Sequence, residues 1–121
     1  MPTFAIRGAT VADENSEHAI LTAARELVKE IIAANRLEAA QVVSALFTLT
    51  PDLNAAFPSR GAREIGWTEV ALLDAQQPAV RGDLARCIRV LVHFNRVEKG
   101  DPVRHVYLKA ARALRPDRLS F

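Results

Sequence analysis

One long amphipathic pattern stands among several short runs of strand-forming residues, and a single helix can cover only one face of a sheet. Ile20, Ala24, Leu27, Val28, Ile31 and Ile32 recur at spacings of three and four, which predicts one apolar helical stripe reaching about Ala34. Ser16 is the expected N-cap, Glu17 sits where the helix dipole favours a carboxylate, and Asn35 is the expected left-handed C-cap. Ahead of this helix, Thr3 to Thr10 alternates, with Phe4, Ile6 and Gly8 on one face and Ala5, Arg7 and Ala9 on the other. After it, Val42 to Thr50, Trp67 to Leu73, Cys87 to Asn95 and Val103 to Leu108 read as strands. A short helix is expected from Ser59 to about Ile65, opened by Phe57-Pro58 and stopped by Gly66. Asp74 to Gly82 and Arg96 to Pro102 read as loops, and a helical turn runs through Ala113.

The order β, α, β, α, β, β, β predicts an α+β fold, a mixed sheet of about five strands packed on one long and one short helix. The second face of that sheet must be buried by something else, so self-association is expected.

At 121 residues, half of them apolar, the chain fits one domain over residues 1–121. No apolar run approaches the roughly 18 residues of a membrane span, and no signal-peptide pattern follows Arg7. A soluble, unexported protein with no membrane partner is expected. Cys87 is the only cysteine, which excludes an internal disulfide and fits a reducing cytoplasm. A net charge of +2, with no basic run or stacking motif, argues against nucleic acid as a partner.

Several site classes are missing from the sequence. It has no glycine-rich phosphate loop, no His and Cys at zinc spacing, and no Gly-x-Ser-x-Gly elbow. His18, His93 and His105 fall in different elements and read as structural or solvated, and Cys87 reads as a small packed residue. Arginines remain. Arg7 and Arg89 lie within strands, where a guanidinium needs either a bound anion or a carboxylate partner. Arg60 and Arg63 share a helical face, which by residue type alone is a solvated one.

Seven blocks give these arginines a context: Ile6-Arg7-Gly8-Ala9-Thr10, Thr50-Pro51-Asp52-Leu53, Ala56-Phe57-Pro58, Ala62-Arg63, Cys87-Ile88-Arg89-Val90, Arg104-His105-Val106-Tyr107-Leu108 and Leu114-Arg115-Pro116-Asp117. In order and spacing they resemble the monofunctional chorismate mutases of the trimeric, barrel type. The resemblance implies a homotrimer forming a pseudo-α/β barrel, with sites at the subunit interfaces and neither cofactor nor metal. The implied reaction is the [3,3] rearrangement of the dianion chorismate to prephenate, a step of aromatic amino-acid biosynthesis. By that resemblance Arg89 bonds the ether oxygen and a carboxylate, while Arg7 and Tyr107 hold the side-chain carboxylate. Phe57 walls the ring, Arg63 and Arg115 close the mouth, Arg60 stands where a basic residue is common, and Leu72, Leu73 and Leu114 complete the contact surface.

The chain departs from this pattern at one point. The family usually carries a glutamate where this chain has Gln77, which offers hydrogen bonds but no charge. Asp74 lies three residues earlier. Two readings stand: Asp74 shares a tight turn with Gln77 and takes over the charge, or it caps the following turn and activity is low. Isochorismate is a third option for the altered loop. From other classes, the alternatives are a non-catalytic trimer that binds chorismate or a related anion, and an imine hydrolase of the similar-looking trimeric deaminases.

Overall fold

A computed structural model describes residues 2–97 and 102–114. The alternating N-terminal segment forms strand β1, Thr3–Val11, and the apolar stripe forms helix α1, Glu17–Asn35. Ser16 caps that helix, its hydroxyl accepting from the Ala19 N–H. A single 3₁₀ turn leads to β2, Val42–Leu49, and then to the short α2, Pro58–Glu64, with proline in its first turn. Strands β3, Ala71–Gln76, β4, Cys87–Asn95, and β5, Val106–Tyr107, follow, and a 3₁₀ turn covers Lys109–Ala113.

The five strands form one mixed sheet in the order β3-β2-β4-β1-β5. β4 runs antiparallel to both β1 and β2, while β3 is parallel to β2 and β5 parallel to β1. One face carries Ile6, Phe47, Ile88, Val90, Val92 and Phe94, buried with Ile20, Leu27, Val28 and Ile31 of α1. Each such side chain contributes roughly 1.5 to 3 kcal/mol by leaving water. The helix sits very close to β1. A Cβ on Gly8 would lie 2.9 Å from Ile31 Cδ1 and 3.2 Å from both Leu27 Cδ1 and Val90 Cγ1, so any side chain here must push these packed side-chain ends aside.

Four expectations change. Asn35 is not the left-handed cap: it is the last helical residue, and Arg36 takes that conformation at φ 49°. The reason is a better use for the amide. Asn35 donates to the Ile31 and Arg104 carbonyls, both at 3.0 Å, and accepts from the Arg104 N–H at 2.8 Å. Trp67 does not open a strand. It is buried after Gly66, which turns the chain at φ 121°, and its N–H bonds the Ala62 carbonyl at 3.1 Å. Pairing with β2 therefore begins at Ala71 and carries Asp74 and Gln76 inside β3, where a loop was expected. The last strand shrinks to Val106–Tyr107, since only Gly8 and Ala9 face it across the sheet.

Candidate active site

Residues alternate across a sheet, so the face opposite the helices is set by the same registers. Cross-strand pairing aligns Leu46 with Leu91, Thr48 with Arg89, Ala9 with Arg89 and Ala9 with Tyr107. These side chains lie on the face that α1 leaves open. There Arg7, Leu46, Thr48, Arg89, Tyr107 and Leu114 line a cavity of about 370 Å³, a size suited to a small molecule. Four residues expected in the site, Arg7, Arg89, Tyr107 and Leu114, thus meet in one pocket.

The two arginines are held differently. Arg7 has its backbone N–H fixed by His105 Nδ1 at 2.9 Å, and its guanidinium makes no ion pair among the described residues. His105 accepts this bond on Nδ1, which makes it a structural histidine that pins β1. Arg89 donates through Nη2 to Asp83 Oδ1 at 2.9 Å, yet its Nε is buried with no partner.

Gln77 follows β3 and lies beside this pair, its N–H bonded to the Leu49 carbonyl at 2.7 Å. Its Nε2 donates to Asp83 Oδ2 at 2.5 Å, and its Oε1 accepts from Thr48 Oγ1 at 3.4 Å. Asp83 was not among the residues singled out from sequence. Following Gly82, it reads there as a turn residue, and nothing short of the loop's path brings it onto Arg89.

Asp74 lies elsewhere. Within a strand, residues three apart face opposite sides, so Asp74 and Gln77 do not share a pocket in one chain. Asp74 instead accepts from the Ser59 N–H at 2.9 Å and the Ser59 hydroxyl at 2.5 Å, at the start of α2. It lines a smaller recess of about 150 Å³ with Leu49, Leu53 and Phe57. Phe57 is 69% exposed and Leu73, on the open face, 65% exposed, while Leu72 is partly buried in the core. Arg63 is exposed and reaches Ser59 Oγ at 3.5 Å. Arg60 is engaged by Glu17 at 3.0 Å and Glu64 at 3.3 Å. Arg115 lies outside the described residues. Cys87 is fully buried two residues before Arg89 on β4, and burial pushes its thiol up against the opposing effect of Arg89, so it is packed rather than poised as a nucleophile.

Comparison with known proteins bears on this geometry. The profile of the family described as chorismate mutase type I matches residues 3–118. A chorismate mutase (AroH) of Thermus thermophilus is 45% identical over 113 residues, covering 93% of each chain. The corresponding protein of Bacillus subtilis is 40% identical over 113 residues, covering 93% of this chain and 89% of that one. Among solved structures, a chorismate mutase from Clostridium thermocellum superposes with a TM-score of 0.87 at 41% identity, covering 91% of this chain and 98% of its own.

Proposed function

This chain belongs to the chorismate mutase type I family, and on that premise we propose that the pocket between Arg7 and Arg89 is where it converts chorismate to prephenate. The observation that carries this reading is the meeting of two arginines, Arg7 and Arg89, with Tyr107 on the wall of one open pocket. In the rearrangement the ether C–O bond breaks as a C–C bond forms, and no atom enters or leaves. Negative charge grows on the ether oxygen at the transition state. A fixed guanidinium there favours that state over the substrate.

Arg7 and Tyr107 hold the side-chain carboxylate in this scheme, and Leu46 and Leu114 supply apolar wall. An acceleration of about 10⁶ requires roughly 8 kcal/mol. One preorganised donor contributes about 3 to 4 kcal/mol. Confinement of the flexible dianion to its compact conformer supplies the remainder. No step needs a cofactor, since the electrons move round a single ring of six atoms.

The assembly we propose is a homotrimer in the cytoplasm, each chain one domain. Support comes from the open sheet face and from exposed Phe57 and Leu73. Phe57, Arg60, Arg63, Leu72, Leu73 and Asp74 belong to α2 and β3, outside the pocket of their own chain. We read them as the contribution of a neighbouring copy to the pocket.

The deciding experiment follows the loss of chorismate absorbance with purified wild-type protein and Arg89→Ala. Turnover lost by a factor of 10² or more is expected. Equal rates would leave a non-catalytic anion-binding protein as the better account.

A further inference from the structure

Among the described residues, Asp83 is the carboxylate that touches two of the polar groups of the site. Its Oδ1 takes Arg89 Nη2 at 2.9 Å and the Leu84 N–H at 2.8 Å, and its Oδ2 takes Gln77 Nε2 at 2.5 Å. The Asp83 side chain is 18% exposed, so these bonds form in partly desolvated surroundings where they are stronger than at a wet surface. We propose that Asp83 is a positioning residue for the reaction, which fixes the plane of Arg89 and sets which end of Gln77 faces Thr48 on the pocket wall.

Donor and acceptor types fix which way the Gln77 amide turns. An ionised carboxylate only accepts, so the amide must turn its NH₂ toward Asp83. Its carbonyl Oε1 is then directed to the Thr48 hydroxyl at 3.4 Å, on the wall of the pocket that Thr48 lines. Reversed, the amide would set two acceptors against each other and turn a donor toward a cavity already rich in donors. Gln77 is buried and does not itself line the pocket, so the partial negative charge of Oε1, strengthened by Asp83, acts on the substrate through the Thr48 hydroxyl it accepts from. For Arg89, the bond from Nη2 to Asp83 holds the planar guanidinium in one orientation at the pocket wall. Through Gln77 and Arg89 together, a single loop carboxylate sets the two groups that must face opposite charges on one substrate.

This inference rests on the reading of the pocket given above, and its test separates the two. Steady-state kcat and KM for chorismate are measured for Asp83→Asn, Gln77→Glu, the double exchange Gln77→Glu/Asp83→Asn, and Arg89→Ala, with a thermal melt of each. Asp83→Asn is isosteric and is expected to lower kcat on the order of 10- to 100-fold with KM changed by less than about threefold, as loss of alignment does. Gln77→Glu alone sets two carboxylates in contact and is expected to lower kcat as well. The double exchange restores a donor–acceptor pair with the charge at position 77, and is expected to recover kcat to within about threefold of wild type, a coupling that separate structural damage does not produce.

Unchanged kcat in Asp83→Asn overturns the proposal, as does a double variant no better than the worse single one. An Arg89→Ala variant as active as wild type overturns the pocket assignment instead.

Discussion

Asp74 of β3 binds both the backbone N–H and the hydroxyl of Ser59, at 2.9 and 2.5 Å, and so ties a strand to the first turn of α2 across fifteen residues of chain. Arg63 leans on the same hydroxyl from one turn later, at 3.5 Å. The carboxylate orders the helix that carries Phe57 at its cap position and Arg63 on its exposed side.

Asp74→Ala is therefore expected to cost about 1 to 2 kcal/mol, the range of a lost helix cap, read by urea unfolding. Asp74→Asn keeps one acceptor and is expected to lose less. Turnover of Asp74→Asn falling a hundredfold at unchanged stability would mean that its carboxylate acts on the substrate in a neighbouring pocket and not only through the order of α2.

Gly8→Ala tests the close approach of α1 to β1. The added methyl meets Ile31 Cδ1 at 2.9 Å, and side-chain ends can shift only within a packed core. A loss of about 1 to 3 kcal/mol is expected, and a melting temperature equal to wild type would show that the helix has room to lift.

A different group governs stability at acid pH. Asp52 is held below the ordinary carboxylate value by the Thr50 hydroxyl at 2.6 Å, against some desolvation, and also by the Arg86 N–H, which reaches both its oxygens. A pKa depressed by folding means that stability is gained above the unfolded value, near 3.9, and lost as pH falls through the folded one. Asp52→Asn is thus expected to be less stable than wild type at pH 7, with the gap narrowing at acid pH as the wild-type carboxylate takes up its proton. A gap that is the same at both pH values would count against this linkage.

Cys87 is fully buried, and burial pushes its thiol up. Alkylation by iodoacetamide at pH 7 should be slow in the native protein and fast in denaturant. Rapid native labelling would mean that β4 opens under native conditions.

Leu73 tests the assembly. It is 65% exposed in one chain, and Leu73→Asp should leave the isolated fold intact while shifting the mass by light scattering from three chains toward one, with turnover falling alongside. A monomeric wild-type protein with full activity would remove the trimer from the account.

Much of this architecture was legible because its signals are local. The stripe from Ile20 to Ile32 and the run from Cys87 to Asn95 carry their own periodicity, and both formed as read. The errors share a cause in distant partners. Trp67 looked like a strand opener because aromatic residues favour strands, yet the packing of α2 claimed it for the core. Asn35 had the composition of a left-handed cap, but Arg104, far along the chain, had a use for its amide. Arg7, Arg89 and Tyr107 were found through a resemblance, since no spacing in the sequence says that Ala9 pairs with both Arg89 and Tyr107. Asp83 escaped altogether. Its meaning depends on a loop folding back over β4, and an aspartate after Gly82 is otherwise an ordinary turn residue.

The amide of Asn35 has a reach beyond its own helix. β5 is two residues long, too short to hold itself in register by ladder bonds alone. Asn35 grips both polar groups of the Arg104 backbone three residues ahead of Tyr107, much as a neighbouring strand would. The tyrosine of the pocket is therefore only as well ordered as the final turn of α1. Fraying at that helix end would loosen the lead into β5, and with it the Tyr107 wall of a pocket on the far side of the sheet.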